Sequence, residues 1–153
     1  MNASVAQLWN RYRAINPDAP ANVPISFHFC DNEKDADLCA DLVARGIKRA
    51  TAPSVAELEL AGDPMPQVGD YAIVTDWTGN AVAVIRTTAV ETKRFADVDA
   101  DFARAEGEGD LTLKWWREAH HAYYSSVLAG TDYTVDDDLE VICERFDLVL
   151  KAD

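Results

Sequence analysis

Residues 71–90 carry the sequence YAIVTDWTGNAVAVIRTTAV, and this stretch decides the fold. Residues 71–77 and residues 81–90 are both rich in apolar and β-branched side chains, so each stretch predicts a strand. Between them, Thr78-Gly79-Asn80 has the residue types that hairpin turns use, because glycine and asparagine tolerate a positive φ. The stretch therefore predicts two antiparallel strands joined by a tight turn.

Further elements are predicted on both sides of this hairpin. Residues 25–29 alternate apolar and polar side chains, and residues 139–150 do so in part, which predicts two more strands. Four segments have helical periodicity, namely residues 8–15, 31–46, 97–105 and 111–128. The first is expected to be a short amphipathic lid helix, and Asp31 is the expected N-cap of the second. Strands paired through hairpins, with helices inserted between them, predict an α+β domain on a largely antiparallel sheet that curls or closes into a small barrel.

Length and composition bound the class of protein. The chain has 153 residues, of which 48% are hydrophobic and 27% charged, as in a globular protein. We expect one domain over residues 1–153, with an N-terminal helix and connector over 1–24 and the core over 25–153. A formal net charge of -13 disfavours extensive binding along a phosphate backbone, although it leaves a local basic cleft open.

The cysteines and the hydropathy pattern predict the location. Cys30, Cys39 and Cys143 have no metal-ligand spacing and leave an odd thiol, which favours a reducing compartment. The sequence has neither a secretory signal pattern nor a run of about 18 apolar residues. We therefore expect a cytoplasmic protein without a membrane partner, and the sequence indicates no cofactor and no metal ligand set.

Residues 47–68 lack a clear period and contain three prolines, so the sequence predicts a long ordered loop. At its start, Gly46 is followed by Lys48 and, three residues further on, by Thr51. A threonine hydroxyl becomes a nucleophile when a base lies beside it, and a desolvated, neutral lysine is one such base. The structural alternative is that Lys48 and Arg49 are cations favoured by a helix C-terminus, while Thr51 only begins the loop.

Two more clusters have both a functional and a structural interpretation. Glu106, Glu108 and Asp110 alternate with glycines and suit a hard cation, but the calcium-loop spacing is absent and helix capping by Asp110 is the alternative. On the following helix, His120 lies among aromatic residues that include Trp116. Such a cluster stacks on a nucleobase or belongs to the core.

Five segments, taken together, resemble the ASCH superfamily in their order and spacing. They are residues 42–51 (LVARGIKRAT), 66–71 (PQVGDY), 84–88 (VIRTT), 105–110 (AEGEGD) with 116–120 (WREAH), and 141–146 (VICERF). The resemblance extends from about residue 27 to the end of the chain. It implies a PUA-like fold, a small β-barrel of mostly antiparallel strands with flanking helices, and a cleft for RNA or nucleotide-like ligands.

The resemblance also implies an activity. Members of the superfamily include bacterial amidohydrolases that act on N4-acetylcytidine and related N4-acylated cytosines, and others are ribonucleases or nucleic-acid-binding domains. In the amidohydrolases, a Gly-x-Lys-x-x-Thr motif and a later glutamate form a catalytic trio, which matches Lys48, Thr51 and Glu106 here, with Glu108 as the other match for the glutamate. The residues expected to bind the substrate are Arg49, Ser54, Arg86, Glu108, Trp116 and His120.

One position departs from the family pattern. Many relatives have an arginine two residues after the threonine, where this chain has Pro53, so that substrate contact must come from elsewhere. Arg86 lies inside a strand whose other residues suit burial, and it is either an outward-facing side chain or the replacement cation.

Two functions follow from the residues and the resemblance. In the first, Thr51 attacks the acyl carbonyl of an N4-acylated nucleoside, Lys48 takes its proton, and Glu106 positions the substrate amine or passes the proton on. Because a nearby carboxylate raises the pKa of a lysine, the other role open to Lys48 is that of a cation stabilising the oxyanion. The alternative function is an RNA-binding domain or ribonuclease with single-stranded RNA as its partner, and the acidity of the chain ranks it second.

Overall fold

The computed structural model describes residues 2–153 and has the predicted α+β class. Its elements in chain order are α1 (Ala3–Ile15), β1 (Ser26–Phe27), α2 (Glu33–Ala44), β2 (Ala50–Thr51), α3 (Val55–Ala61), β3 (Tyr71–Thr75), β4 (Ala81–Arg94), α4 (Ala100–Glu106), α5 (Leu113–Val127) and β5 (Glu140–Lys151). A short 3-10 helix, Phe95–Asp97, follows β4. In this part of the chain, no helix combines the length and the apolarity of a membrane span.

The five strands form one mixed sheet in the order β1-β3-β4-β5-β2. β1 and β3 run parallel, whereas the other three pairs are antiparallel, and the predicted hairpin joins β3 to β4. Within residues 2–153 the two edge strands do not pair with each other, so the sheet is open and the expected closed barrel is not formed. Each edge strand has only two residues, which leaves a short edge exposed.

Helices cover both faces of the sheet. Because neighbouring strand residues point to opposite faces, Ile73 and Val84 contact α1, whereas Val74 and Ala83 belong to the cluster beneath α2. The residues that α1 buries on its side are Val5, Leu8, Trp9 and Tyr12. The prediction of a lid over residues 8–15 is therefore wrong, since this helix is part of the core.

The segment predicted as one long loop, residues 47–68, contains both β2 and α3. The hydroxyl of Ser54 accepts a hydrogen bond from Glu57 N at 3.1 Å, and the Glu57 carboxylate accepts one from Ser54 N at 2.9 Å. This reciprocal capping box starts α3 directly after Pro53. Because α3 has only seven residues and lies between Pro53 and Pro64, its sequence shows no clear helical period.

Two predicted helix caps lie one or two residues from the observed ones. Asn32, rather than Asp31, caps α2 by accepting a hydrogen bond from Asp35 N at 2.9 Å. Thr112, rather than Asp110, caps α5, while Asp110 accepts from Thr112 N at 2.9 Å. Asn32 and Thr112 thus take the cap positions, and Asp110 supports the turn beside its helix.

Candidate active site

A cavity of about 920 Å³ opens between α2, α3 and α5. Four aromatic side chains form part of its wall, namely Phe27, Phe29, Trp115 and Tyr123. Five of the side chains predicted to form the site also line it, and these are Lys48, Thr51, Glu106, Glu108 and His120. The structure therefore brings Lys48 and Thr51 together with three residues that lie more than 50 positions later in the sequence.

The end of α2 places Lys48 at the cavity. Gly46 has a φ of 73°, the left-handed conformation that glycine adopts without strain where a helix ends. The N–H groups of Ile47 and Lys48 then donate to the carbonyl of Leu42 at 2.9 and 3.1 Å. These bonds turn the chain so that Lys48 points inward, where it is 2% exposed.

The ammonium group of Lys48 is surrounded by acceptors. Nζ donates to the carbonyl oxygen of Ala50 at 2.8 Å and to Glu108 Oε2 at 2.9 Å, and it lies 3.5 Å from Glu106 Oε1. A charged ammonium has three donors and no lone pair, which matches this environment. Lys48 is therefore held in its protonated form.

Glu106 ends α4 and is 1% exposed. Its Oε2 accepts a hydrogen bond from Trp116 Nε1 and lies 2.7 Å from His120 Nε2. Trp116 and His120 are one helical turn apart on α5, and their rings stack with centroids 4.1 Å apart. His120 Nδ1 faces the carbonyl oxygen of Trp116 at 2.9 Å, so both ring nitrogens face acceptors and both carry protons.

The buried residues Lys48 and Glu106 and the partly buried residues Glu108 and His120 form a charge cluster, in which two cations face two carboxylates. Burial acts to lower the pKa of Lys48, but Glu106 and Glu108 raise it well above its ordinary value. Burial acts to raise the pKa of Glu106, but Lys48 and His120 lower it to about 2. Burial is likewise outweighed at His120, whose pKa Glu106 raises. The charges cancel, which is the condition under which buried ions are tolerated.

Gly107 allows the acidic loop to approach Lys48. It has a φ of 72°, and a Cβ atom at this position would lie 2.6 Å from the carbonyl oxygen of Ile47. Arg49 N donates to the carbonyl of Ala105 at 2.7 Å and ties the same two segments together. The absence of a side chain at Gly107 thus permits a close approach between two segments of the chain, and this approach brings Glu106 to Lys48.

Thr51 faces a carboxylate that the sequence analysis missed. It pairs with Glu144 across β2 and β5, and both side chains line the cavity. Burial raises the pKa of Glu144, and a hydrogen bond accepted from Thr87 Oγ1 at 2.7 Å opposes this. The available signal was alternation along β5, since Glu144 shares a face with the buried residues Ile142 and Phe146.

Four of the residues expected to bind substrate lie outside the cavity lining. The Arg49 side chain is exposed, and Ser54 is buried as the cap of α3. The guanidinium of Arg86 lies 4.8 Å from the ring centroid of Tyr71, so it does not replace the family arginine at this cavity. Trp116 is buried and donates a hydrogen bond to Glu106, which lines the cavity.

Comparisons with known proteins agree with this architecture. A family model described as ASCH domain matches residues 25–150. The chain is similar to the crystal structure of an ASCH domain from Lactobacillus crispatus JV V101, with 32% identity, a TM-score of 0.86, and coverage of 97% of this chain and 96% of that chain. It is also similar to the structure of a protein from Enterococcus faecalis V583, with 28% identity, a TM-score of 0.87, and coverage of 97% and 90%.

A more distant likeness concerns the fold alone. The structure of an ASCH protein from Zymomonas mobilis has 10% identity and a TM-score of 0.50, with coverage of 80% of this chain and 64% of that chain. A comparison with curated proteins gives no match.

Proposed function

The chain belongs to the ASCH domain family, and we propose that it hydrolyses the amide bond of N4-acylated cytosine nucleosides such as N4-acetylcytidine. The observation that carries the proposal is that Thr51, the charged Lys48 and the half-buried carboxyl of Glu144 line one cavity. A hydroxyl nucleophile, a cation for the developing oxyanion and a proton acceptor are what acyl transfer needs. The substrate class comes from the family resemblance of residues 46–51.

The cavity suits a nucleoside in size and in its walls. Its volume of about 920 Å³ lies within the range of roughly 300–1,000 Å³ that small-molecule sites occupy. The rings of Phe27, Phe29, Trp115 and Tyr123 offer faces on which a cytosine base can stack.

In the proposed reaction, Thr51 Oγ1 attacks the acyl carbon and its proton passes to Glu144. A carboxyl with a raised pKa suits this task, because a general base works best when its pKa is near the working pH. The bond between the acyl carbon and N4 then breaks, the proton moves to N4, and the nucleoside leaves with a free amino group. Water hydrolyses the ester on Thr51, which releases the carboxylic acid and restores the hydroxyl.

The environment of Lys48 supports the role of a cation over that of a base. Two of its protons are engaged at 2.8 and 2.9 Å, by Ala50 and Glu108, whereas Glu106 lies at the longer distance of 3.5 Å. The third proton is therefore the one that can turn to the carbonyl oxygen of a substrate. In this proposal Glu106 is a positioning residue, since it holds Lys48, Trp116 and His120 in place and its oxygens are engaged.

The charges around the cavity favour a neutral nucleoside over an RNA chain. Among residues 2–153, Lys48 is the only lysine or arginine in the lining, and Glu108 balances its charge. The carboxylates in the lining are Asp31, Asp35, Glu57, Asp63, Glu106, Glu108 and Glu144. A polyphosphate needs several cations along its path, so the ribonuclease alternative has less support here.

The test is an ultraviolet assay of N4-acetylcytidine hydrolysis by the purified protein. We expect turnover by the wild type, a loss of at least about a hundredfold in Thr51→Ala and in Glu144→Gln, and little change in Thr92→Ala. Thr92 is the matched control, because it is an exposed threonine in β4 outside the cavity.

Two results would contradict the proposal. Hydrolysis that persists in Thr51→Ala would exclude the covalent step at this residue. A wild-type protein that leaves N4-acetylcytidine intact but cuts labelled single-stranded RNA would establish the ribonuclease alternative in its place.

A further inference from the structure

Two thiols and a carboxylate meet on one wall of the cavity, outside the groups that the proposed hydrolysis uses for bond making. Cys30 Sγ lies 3.8 Å from Cys39 Sγ, and Cys39 Sγ lies 3.3 Å from Glu108 Oε1. All three ligand atoms lie within 4.8 Å of one another. Cys30 adopts a φ of 63°, a conformation that residues other than glycine seldom take, and this turn precedes α2, which carries Cys39.

These separations are close to the edges of a tetrahedron around zinc. With Zn–S of about 2.3 Å and Zn–O of about 2.0–2.2 Å, tetrahedral angles place two sulfurs about 3.8 Å apart and a sulfur and an oxygen about 3.5 Å apart. The sulfur pair at 3.8 Å matches, and the sulfur–oxygen pair at 3.3 Å needs a shift of a few tenths of an ångström. A disulfide, by contrast, requires the two sulfurs to approach to about 2.05 Å.

We propose that Cys30 Sγ, Cys39 Sγ and Glu108 Oε1 form a binding site for a thiophilic divalent cation, with zinc as the expected ion, whose fourth coordination position faces the cavity. Two sulfurs and one carboxylate oxygen are a donor set that zinc accepts, and three protein ligands with an open position differ from the closed four-ligand pattern of structural zinc. All three residues line the cavity, and Cys30 is partly exposed, which gives the ion an entry path.

The surrounding charges are compatible with the ion. Binding breaks two S–H bonds, forms two S–Zn bonds and releases two protons to solvent, so the total charge of the wall is unchanged. Lys48 contacts the other oxygen of Glu108, Oε2, at 2.9 Å, and this leaves Oε1 directed to the thiols. Lys48 thereby orients the ligand in the way that outer partners of metal ligands do.

Cobalt titration of the full-length protein tests the site. With the protein reduced by a phosphine and kept free of air, added Co²⁺ alone is expected to produce a sulfur-to-cobalt charge-transfer band and the visible bands of a tetrahedral complex. Added Zn²⁺ should abolish these bands, because zinc binds such ligands more tightly than cobalt. The readout is spectroscopic, so it does not depend on whether the protein hydrolyses N4-acetylcytidine.

The third cysteine provides the matched control. Cys143 is buried in a separate cluster, so Cys143→Ala should keep the cobalt bands. Cys30→Ala and Cys39→Ala should each weaken cobalt binding by at least about a hundredfold, with circular dichroism used to confirm that each variant is folded. Glu108→Gln should weaken binding while the thiolate band remains detectable at high cobalt concentration.

Three results of the cobalt titrations would contradict the proposed metal site. Absence of a thiolate band in the reduced wild type, or a band that survives in folded Cys30→Ala, overturns the proposal. A band lost in Cys143→Ala overturns it as well, because the ligand would then be the wrong cysteine.

Discussion

The two faces of the sheet are stabilised in different ways. On one face, α1 packs its Trp9 and Tyr12 rings against Tyr71, with centroids between 5.2 and 5.4 Å apart. On the other side, beside α2, the buried side chains include Lys48 and Glu106, which need one another to remain charged. Apolar contacts are non-directional and additive in area, whereas a buried ion depends on every partner. The two regions should therefore respond differently to conservative substitutions.

The largest effect is expected from Glu106→Gln. This change keeps the shape of the side chain but leaves the buried cluster with a net positive charge near Lys48 and His120. Removing one partner of a buried ion pair costs about 3–5 kcal/mol, and we expect a loss of this size in the free energy of unfolding from urea denaturation. Glu118→Gln, at an exposed position of α5, is the control and should change stability by less than about 0.5 kcal/mol. A loss below about 1 kcal/mol in Glu106→Gln would show that the cluster tolerates an unpaired charge.

The apolar face should tolerate a change of shape but not a loss of volume. Leu8 is 3% exposed between α1 and the sheet, so Leu8→Ala should cost about 2–5 kcal/mol in unfolding free energy. Leu8→Met keeps the volume and should cost less than about 1.5 kcal/mol by the same urea measurement. If Leu8→Met lowers the unfolding free energy as much as Leu8→Ala does, then the apolar face also depends on side-chain shape, and the expected contrast with the charged face is contradicted.

The same contrast explains how much of the fold could be predicted. The β3–β4 hairpin and the cores of α2 and α5 follow from period and turn chemistry, which are local properties of the chain. β2 has two residues and α3 has seven, so neither has enough length to show a period. The sheet of residues 2–153 is open and does not show the predicted barrel, because the pairing of edge strands is a tertiary property that no local pattern contains.

The residues of the site that belong to a sequence motif could be predicted, whereas contacts between residues far apart in the chain could not. The resemblance of residues 46–51 pointed to Lys48 and Thr51, and both line the cavity. The charged state of Lys48 depends on Glu106, which lies 58 positions away along the chain, and the partnership of Thr51 with Glu144 depends on strand register. Their catalytic roles stay predictions that the hydrolysis assay addresses.

A smaller effect should separate a structural residue from a site residue. Ser54 was expected to bind substrate, but it caps α3, so Ser54→Ala should reduce the unfolding free energy by about 1 kcal/mol. The KM for N4-acetylcytidine should stay at the wild-type value, because Ser54 is not part of the cavity lining. Ser125→Ala, at an exposed position of α5, is the control for loss of a hydroxyl without loss of a cap. A change in KM with unchanged stability would contradict this prediction and indicate that Ser54 contacts the substrate.

The smallest effect on stability, and the only one of opposite sign, is expected from Glu144→Gln. Burial raises the pKa of Glu144 in the folded protein, Asp70 adds to this by its like charge, and the hydrogen bond from Thr87 opposes it. A carboxyl with a raised folded pKa is most favourable to folding below its unfolded pKa of about 4.3, and its contribution is lost as the pH rises through the folded pKa. Glutamine does not ionise, so the variant should gain stability relative to the wild type as the pH rises above the unfolded pKa of about 4.3.

Urea denaturation at several pH values measures this difference, and Glu140→Gln, at an exposed position of the same strand, provides the control. A difference between Glu144→Gln and the wild type that stays constant with pH would show that burial does not penalise the charge. If the variant is more stable at neutral pH while hydrolysis falls by about 10²–10⁴, stability and activity move in opposite directions at one residue. Such a result would mean that this carboxylate is kept for what it does to Thr51, since packing alone would favour its neutral counterpart.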